Sequence, residues 1–330
     1  MKIKFTKKFE DIINVENLLE AWKEFVCGKR NKKDVQEFSL KLMDNIFCLH
    51  DELLNNTYVH DGYQAFNISD PKPRNIHKAI VKDRLLHRAI YRKLYLFFDK
   101  TFISDSYSCR IGKGTHSALN RFRKFGYKVS KNNTKTCWIL KCDIKKFFAN
   151  IDHQVLINII AMRIEDKDLL WLLQTTINSF STKPGVGLPL GNLTSQLFVN
   201  IYMNEFDQFV KHKLRVKHYI RYADDFVFFS ESREWLEQIL IFAQDFLANR
   251  LKLELHPDKV FIKTLASGVD FLGWVHFSCH RVLRTNTKKR MIKRLKEKPK
   301  PESIDSYLGH LSHGNSYELR AWVANEFDLR

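Results

Sequence analysis

Six cysteines are scattered through the 330 residues, and no two of them form a CxxC pair. That argues against a zinc ribbon and a disulfide framework and predicts reduced core thiols in a cytoplasmic protein. No apolar run reaches the roughly eighteen residues of a spanning helix. The basic start (Lys2, Lys4, Lys7 and Lys8) has no signal-type apolar segment behind it. Membrane insertion is therefore not expected. Internal repeats and low-complexity tracts are absent. Acid is scarce as well: 37 Asp and Glu face 55 Lys and Arg, a formal charge of +18. With 44% apolar residues and 26 Phe the chain is a folded one, long enough for two or three lobes. Such an excess of base implies a polyanionic partner, either nucleic acid or an anionic membrane surface.

The base is not spread evenly. Between Pro71 and Arg92 seven basic residues (Lys72, Arg74, Lys78, Lys82, Arg84, Arg88 and Arg92) stand against Asp83 alone. Ile80, Leu85, Leu86, Ile90 and Leu94 give part of that run an apolar stripe. From Arg110 to Lys135 eight more bases follow without an acid, broken by Gly112, Gly114 and Gly126 and interleaved with Phe122, Phe125 and Tyr127. A solvated face mixes both signs, so these runs predict contact with phosphates and stacked bases. Gly112-Lys113-Gly114-Thr115 lacks the GxxxxGK[ST] spacing of a nucleotide-binding loop. Residues 281–300 carry ten bases and one acid, Glu297, on a predicted helix that faces either nucleic-acid phosphates or protein.

Periodicity organises the remainder. Val15, Leu18, Leu19, Trp22, Phe25 and Val26, then Phe38, Leu42, Ile46 and Leu49, predict a pair of packing helices, either core or a docking surface. Residues 137–144 form an apolar strand ending at Asp143. Further helices are predicted over 155–173, from Leu193 through Phe209, and over 235–251. Leu253-Glu254-Leu255, Val260-Phe261-Ile262 and Phe271-Leu272-Gly273-Trp274 read as short strands. Tyr222-Ala223-Asp224-Asp225 sits between the apolar runs His218-Tyr219-Ile220 and Phe226-Val227-Phe228-Phe229, so two acids occupy a hairpin tip.

Adjacent carboxylates at a tight turn are costly unless solvent or a cation neutralises them. If the strands ending at Asp143 and Asp224-Asp225 are neighbours, three carboxylates meet at one sheet edge. Divalent cations make such crowding tolerable, and Mg²⁺ takes hard oxygen ligands of this kind. Two ions in that position activate a terminal hydroxyl and stabilise a leaving pyrophosphate. Bases of the Arg74 and Arg84 region would neutralise an incoming triphosphate.

These motifs together resemble reverse transcriptases. Asp143 with Phe147-Phe148 is similar to the first palm carboxylate motif, Tyr222-Ala223-Asp224-Asp225 to the second, and Phe271-Leu272-Gly273-Trp274 to the primer grip. Pro73-Arg74-Asn75-Ile76 through Asp83-Arg84-Leu85-Leu86-His87 resembles the basic fingers motif of bacterial members. The likeness covers residues 72–274, with a weaker thumb beyond. It implies an α+β right-hand polymerase divided into an N-terminal helical extension (1–62), fingers and antiparallel palm (63–275) and a small basic helical thumb (276–330). It implies Asp143, Asp224 and Asp225 as catalytic metal ligands for two Mg²⁺ ions, with Mn²⁺ a possible substitute, and dNTPs as substrates. Phe148 falls at the family's sugar gate, where a ring would clash with a ribose 2′-hydroxyl, and core packing is its other role. Lys259 resembles the fourth-motif lysine that protonates pyrophosphate, or is a salt-bridge or surface lysine.

Within that family, Gly187-Leu188-Pro189-Leu190-Gly191-Asn192-Leu193-Thr194-Ser195-Gln196 resembles the enzymes of diversity-generating retroelements, which copy an RNA with errors at adenines. Many relatives carry Gln where Leu190 stands and Pro where Gln196 stands. Leu190 offers apolar contact without a hydrogen bond, so it either relaxes base selection, with Arg74 shaping the triphosphate side, or fills space. Retrons, group II intron-like enzymes and phage-defence enzymes are the near alternatives, and a non-enzymatic RNA-binding scaffold is the distant one. The resemblance implies a template RNA, an RNA–cDNA duplex and a small basic accessory protein oligomer as partners, and it does not imply self-association. The short stretch after Trp274 leads us to expect no ribonuclease H, integrase or endonuclease domain.

Overall fold

The computed structural model describes residues 3–69 and 73–327, so Lys2, Pro71 and Lys72 of the basic segments lie outside the described residues. The N-terminal sixty residues form four helices where spacing predicts two: α1 (Phe9–Ile13), α2 (Val15–Phe25), α3 (Lys33–Leu40) and α4 (Leu42–Leu54). Asn14 divides the first two, its side chain accepting the Asn17 amide at 2.7 Å. Lys41 leaves helical geometry between the others (φ −121°, ψ 41°). Because the apolar positions run on across Lys41, spacing alone reads a single helix there.

A hairpin follows, with β1 (Tyr63–Ile68) antiparallel to β2 (Arg74–Ala79). Most of its side chains are exposed or half-buried, so it carries no period-two signal. α5 (Val81–Phe98) buries Leu85, Leu86, Ile90 and Leu94 of the expected stripe, while Ile80 caps its start and is exposed. α6 (Thr115–Val129) corrects one expectation. Phe122 and Phe125 are buried in the core, and only Tyr127 of the three aromatics is exposed enough for a base to stack on. β3 (Trp138–Asp143), α7 (His153–Ala161), α8 (Lys167–Asn178), α9 (Leu193–Gln208), β4 (Tyr219–Tyr222), β5 (Asp225–Ser230) and α10 (Arg233–Leu251) lie where the patterns put them.

The C-terminal third departs further. Leu253-Glu254-Leu255 is irregular but for a bridge at Leu255, whereas the strand expected at Val260-Phe261-Ile262 forms as β6 (Phe261–Thr264). Phe271-Leu272-Gly273-Trp274 is a turn joining β7 (Val269–Phe271) to β8 (Trp274–His276). Leu272 and Gly273 both have positive φ (50° and 86°), as a type I′ hairpin turn requires. The expected basic helix gives up its start to β9 (Arg281–Leu283) and begins as α11 (Thr285–Glu297). α12 (Pro301–Leu311) and α13 (Tyr317–Glu326) complete the chain.

The mixed α+β chain divides into two units that interleave in sequence. The first comprises Met1–Ser104, Ile144–Lys213 and Gln244–Glu254. In it α5 packs against α2 and α9. The second comprises Asp105–Asp143, Leu214–Ala243 and Leu255–Arg330. It holds an antiparallel sheet of order β4-β5-β3-β6 and a smaller one of order β7-β8-β9. A boundary at residues 275/276 would fall inside β8. Phe122 anchors the second core, its ring 4.8 Å from Phe229 and 5.2 Å from Phe271. Each such fully buried ring stabilises the unit by about 1.5–3 kcal/mol.

All six cysteines are free, but only Cys137 and Cys142 are core thiols, the other four being exposed. Among the described residues no helix is long and apolar enough to cross a membrane.

Candidate active site

The second unit assembles the acids through strand register. β3 and β5 pair antiparallel so that Asp143 lies directly opposite Asp225, and β4 pairs with β5 so that Tyr222 lies opposite Asp225. Ala223 and Asp224 therefore form a two-residue loop at the edge where β3 ends. Side chains of directly opposed residues are near neighbours, and the loop adds Asp224 beside them. Ala223 takes φ 55°, a left-handed conformation that costs an alanine energy.

A buried arginine supports this strained turn. Arg221 is fully buried, its Nη1 donates to the Ala223 carbonyl at 3.1 Å, and its Nη2 donates to Ser106 Oγ at 3.1 Å. Its backbone bonds to the segment at Asp105 and Tyr107 on both sides, at 3.0 Å each. Tyr222 is fixed as well, its hydroxyl 3.1 Å from Thr115 Oγ1. The tip is thus built as a braced loop.

Two lysines answer the acids. Lys259 Nζ donates to Asp143 Oδ1 at 2.8 Å, and Lys141 Nζ lies 3.4 Å from Asp225 Oδ2. The other Asp225 oxygen, Oδ1, is buried without a hydrogen-bond partner. Burial first, and then the charges of Asp224 and Asp143, push the Asp225 carboxyl up to about 7 against the pull of Lys141. A crowded carboxylate with an orphaned oxygen is the donor chemistry that a hard divalent cation satisfies. Among the described residues no group of three or more His, Cys, Asp or Glu side chains is gathered as a ready-made metal cage. Mg²⁺ commonly takes one or two carboxylates and completes its shell with water and phosphate. The residues present fit that mode.

The first unit brings together most of the other candidates. Loop 187–192 is tied to β2 twice: the Leu190 carbonyl accepts the His77 amide at 2.9 Å, and Asn192 Nδ2 donates to the His77 carbonyl at 3.0 Å. Gly191 makes the close approach possible, since its φ is 106° and an added Cβ would lie 2.8 Å from Ile76 Cγ2. The Leu188 amide donates to the Phe148 carbonyl at 2.8 Å. Half-buried Phe148 is thereby held beside the same loop that carries Leu190, with exposed Arg74 at the start of β2. Gln196 follows in the first turn of α9, also half-buried.

Arg84 is placed differently. Its guanidinium donates to Asp34 at 2.6 Å, a carboxylate that also takes Lys78 at 2.6 Å, and it lies 5.1 Å from the Phe25 ring centre. Arg84 therefore braces α3 and α5. Lys141 and Arg221 were missed by sequence reading. Each is a lone base inside an apolar strand next to the acids, and alternation places Lys141 on the same face as Asp143. That was the available signal.

Residues 69–276 match the profile of the family described as "Reverse transcriptase (RNA-dependent DNA polymerase)". Protein YkfC of Escherichia coli K12 is 26% identical over 75% of this chain and 74% of its own length. The group II intron-encoded protein LtrA of Lactococcus lactis is 26% identical over 63% of this chain, which spans only 44% of LtrA. A solved structure of apo telomerase from Candida tropicalis, truncated from the C-terminal domain, superposes with a TM-score of 0.51. At 14% identity, over 67% of this chain and 54% of that one, this likeness concerns the fold alone.

Proposed function

The chain belongs to the reverse transcriptase (RNA-dependent DNA polymerase) family, and on that premise we propose that it extends a primer along an RNA template with deoxynucleoside triphosphates. The observation that carries this reading is the register of β3 against β5, which sets Asp143 opposite Asp225 beside the Asp224 turn. Asp143 and Asp224 would be the principal ligands of Mg²⁺, with Asp225 the third donor. When bound, the ions would supply charge stabilisation to the attacking and leaving oxygens of an in-line displacement. Arg221 keeps the turn in its strained shape. Lys141 and Lys259 offset the like charges of the acids, and Lys259 is the ammonium available to protonate a leaving oxygen. In the first unit Phe148 would exclude a 2′-hydroxyl, and Leu190 would line the base-pair side with Arg74 on the phosphate side. A fingers, palm and thumb arrangement is part of the same proposal.

We further infer a structured RNA template of the group II intron kind, supported by the names of the relatives, which include LtrA and a nuclear intron maturase. The retroelement reading, with adenine-directed errors and a small basic accessory protein, rests on Leu190 and Gln196 alone. Sequencing the cDNA made on a defined RNA, with and without native RNA and accessory protein, separates them. Errors concentrated at template adenines favour the retroelement. Evenly low error favours the intron-like enzyme, and absence of cDNA sinks both.

A further inference from the structure

We propose that the second unit contains a phosphate-binding site separate from the carboxylate turn, in the cavity that β8, β9 and α6 form with loop 312–315. The cavity has a volume of about 280 Å³ and is lined by Arg123, His276, His280, Arg281, Ser312 and Asn315, among others. No acid is among its described lining residues. Of its two arginines Arg123 is exposed and Arg281 half-buried, and a half-buried guanidinium is normally paired with an acid.

The donors are incompletely used. Arg281 spends Nε on the His313 carbonyl and Nη2 on Asn120 Oδ1 at 3.2 Å, while its Nη1 is buried without a partner. His276 is 2% exposed, and its Nε2 likewise has no partner. Burial, and after it the Arg281 charge, push the His276 pKa down to about 3, so the ring is neutral and can present an N–H. Unsatisfied buried donors are costly, and an oxyanion is the ligand that satisfies several at once.

The frame around them is rigid. The Asn315 amide donates to the Arg281 carbonyl at 2.8 Å, which with the Arg281–His313 bond closes loop 312–315 onto β9. Behind it Gly314 lies so close to the Trp274 ring that a Cβ would come within 2.0 Å. Phe277 and exposed His280, both of the lining, stack their rings 4.9 Å apart, an aromatic pair suited to a sugar or base attached to the phosphate. A phosphate of this kind comes from the end of a polynucleotide or from a free nucleotide or inorganic phosphate.

The test uses the full chain and does not depend on polymerisation. Binding of inorganic phosphate is followed by the thermal midpoint at matched ionic strength, and short DNA oligonucleotides bearing a 5′-phosphate or a 5′-hydroxyl are compared by fluorescence anisotropy. Saturable stabilisation by phosphate is expected, weakened about tenfold or more in Arg123→Gln and in Arg281→Gln. Arg123 is exposed, so its replacement keeps the test decisive if Arg281→Gln perturbs loop 312–315. Lys23→Gln, which removes an exposed charge of the first unit that does not line the cavity, should behave like the parent. A preference for the 5′-phosphate oligonucleotide, lost in Arg123→Gln, assigns the site to a polynucleotide end. Equal oligonucleotide binding with Arg123-dependent phosphate binding assigns it to a free anion. Non-saturable phosphate effects, or equal effects in the parent and Arg123→Gln, overturn the proposal.

Discussion

The acidic turn of the second unit and loop 187–192 of the first are held by different forces. Asp143, Asp224 and Asp225 are positioned by consecutive ladder pairings between neighbouring strands, with a buried arginine beneath. Leu190 sits on an irregular loop bonded twice to β2, and Phe148 lies on the short 3₁₀ turn Phe147–Asn150, its carbonyl accepting the Leu188 amide. The first arrangement fixes atoms that must bear charge. The second fixes surfaces that must have a shape, and shape tolerates exchange of side chains better than charge does.

That contrast predicts a ranking of effects. Asp143→Asn or Asp224→Asn should lower primer extension by about a thousandfold or more, the scale of losing a charged group from such a reaction. An unchanged rate would break the comparison at its strong end. Phe148→Ala should erode discrimination between dNTP and rNTP by about ten- to a hundredfold with little loss of dNTP turnover, read from single-nucleotide insertion. Equal discrimination in the variant would return Phe148 to simple core packing.

Arg221→Met should destabilise the protein by about 2 kcal/mol, because the Ala223 carbonyl and Ser106 hydroxyl lose a buried donor. Denaturant unfolding measures it, and a change below 0.5 kcal/mol (the size of ordinary surface substitutions) would remove the brace from the account.

A pH experiment sharpens the electrostatic side. The folded Asp225 carboxyl titrates near 7, above its unfolded value of 3.8. The folded state therefore holds a proton that the unfolded state has already lost. The stabilisation from this group is present at low pH and is lost as pH rises through 7. A divalent cation opposes that loss, so the Mg²⁺-induced rise in thermal midpoint should be larger at pH 8 than at pH 5.5. Asp83 in the first unit is also raised to about 7, chiefly by burial, and Asp225→Asn isolates the turn. An Mg²⁺ effect independent of pH would contradict this electrostatic account. The smallest expected effect is a few-fold change in misincorporation opposite template adenine in Leu190→Gln. No change would leave Leu190 a space-filling residue.

The acid half was legible in the sequence because strand pairing follows from hydrophobic pattern. The runs around Asp143 and Tyr222 specify β3, β4 and β5, and register carries the acids with them. The same reasoning missed the β1–β2 hairpin, whose side chains are largely exposed, and read the 271–274 turn as a strand because three of its four residues are apolar. Arg84 shows another limit. A base in a basic run looks available for phosphate, and only the fold reveals its pairing with Asp34. Phe122 and Phe125 teach the converse, since aromatics among bases proved to be the inner face of an amphipathic helix.

The most direct measurement is Mg²⁺-dependent extension of a DNA primer on an RNA template by the native chain, by Asp143→Asn and by Asp224→Asn, with folding checked by circular dichroism. The carboxylate account predicts product from the native chain that rises with Mg²⁺ and vanishes with chelator, and product about a thousandfold lower or absent from both variants. Native-level synthesis by either folded variant would contradict it.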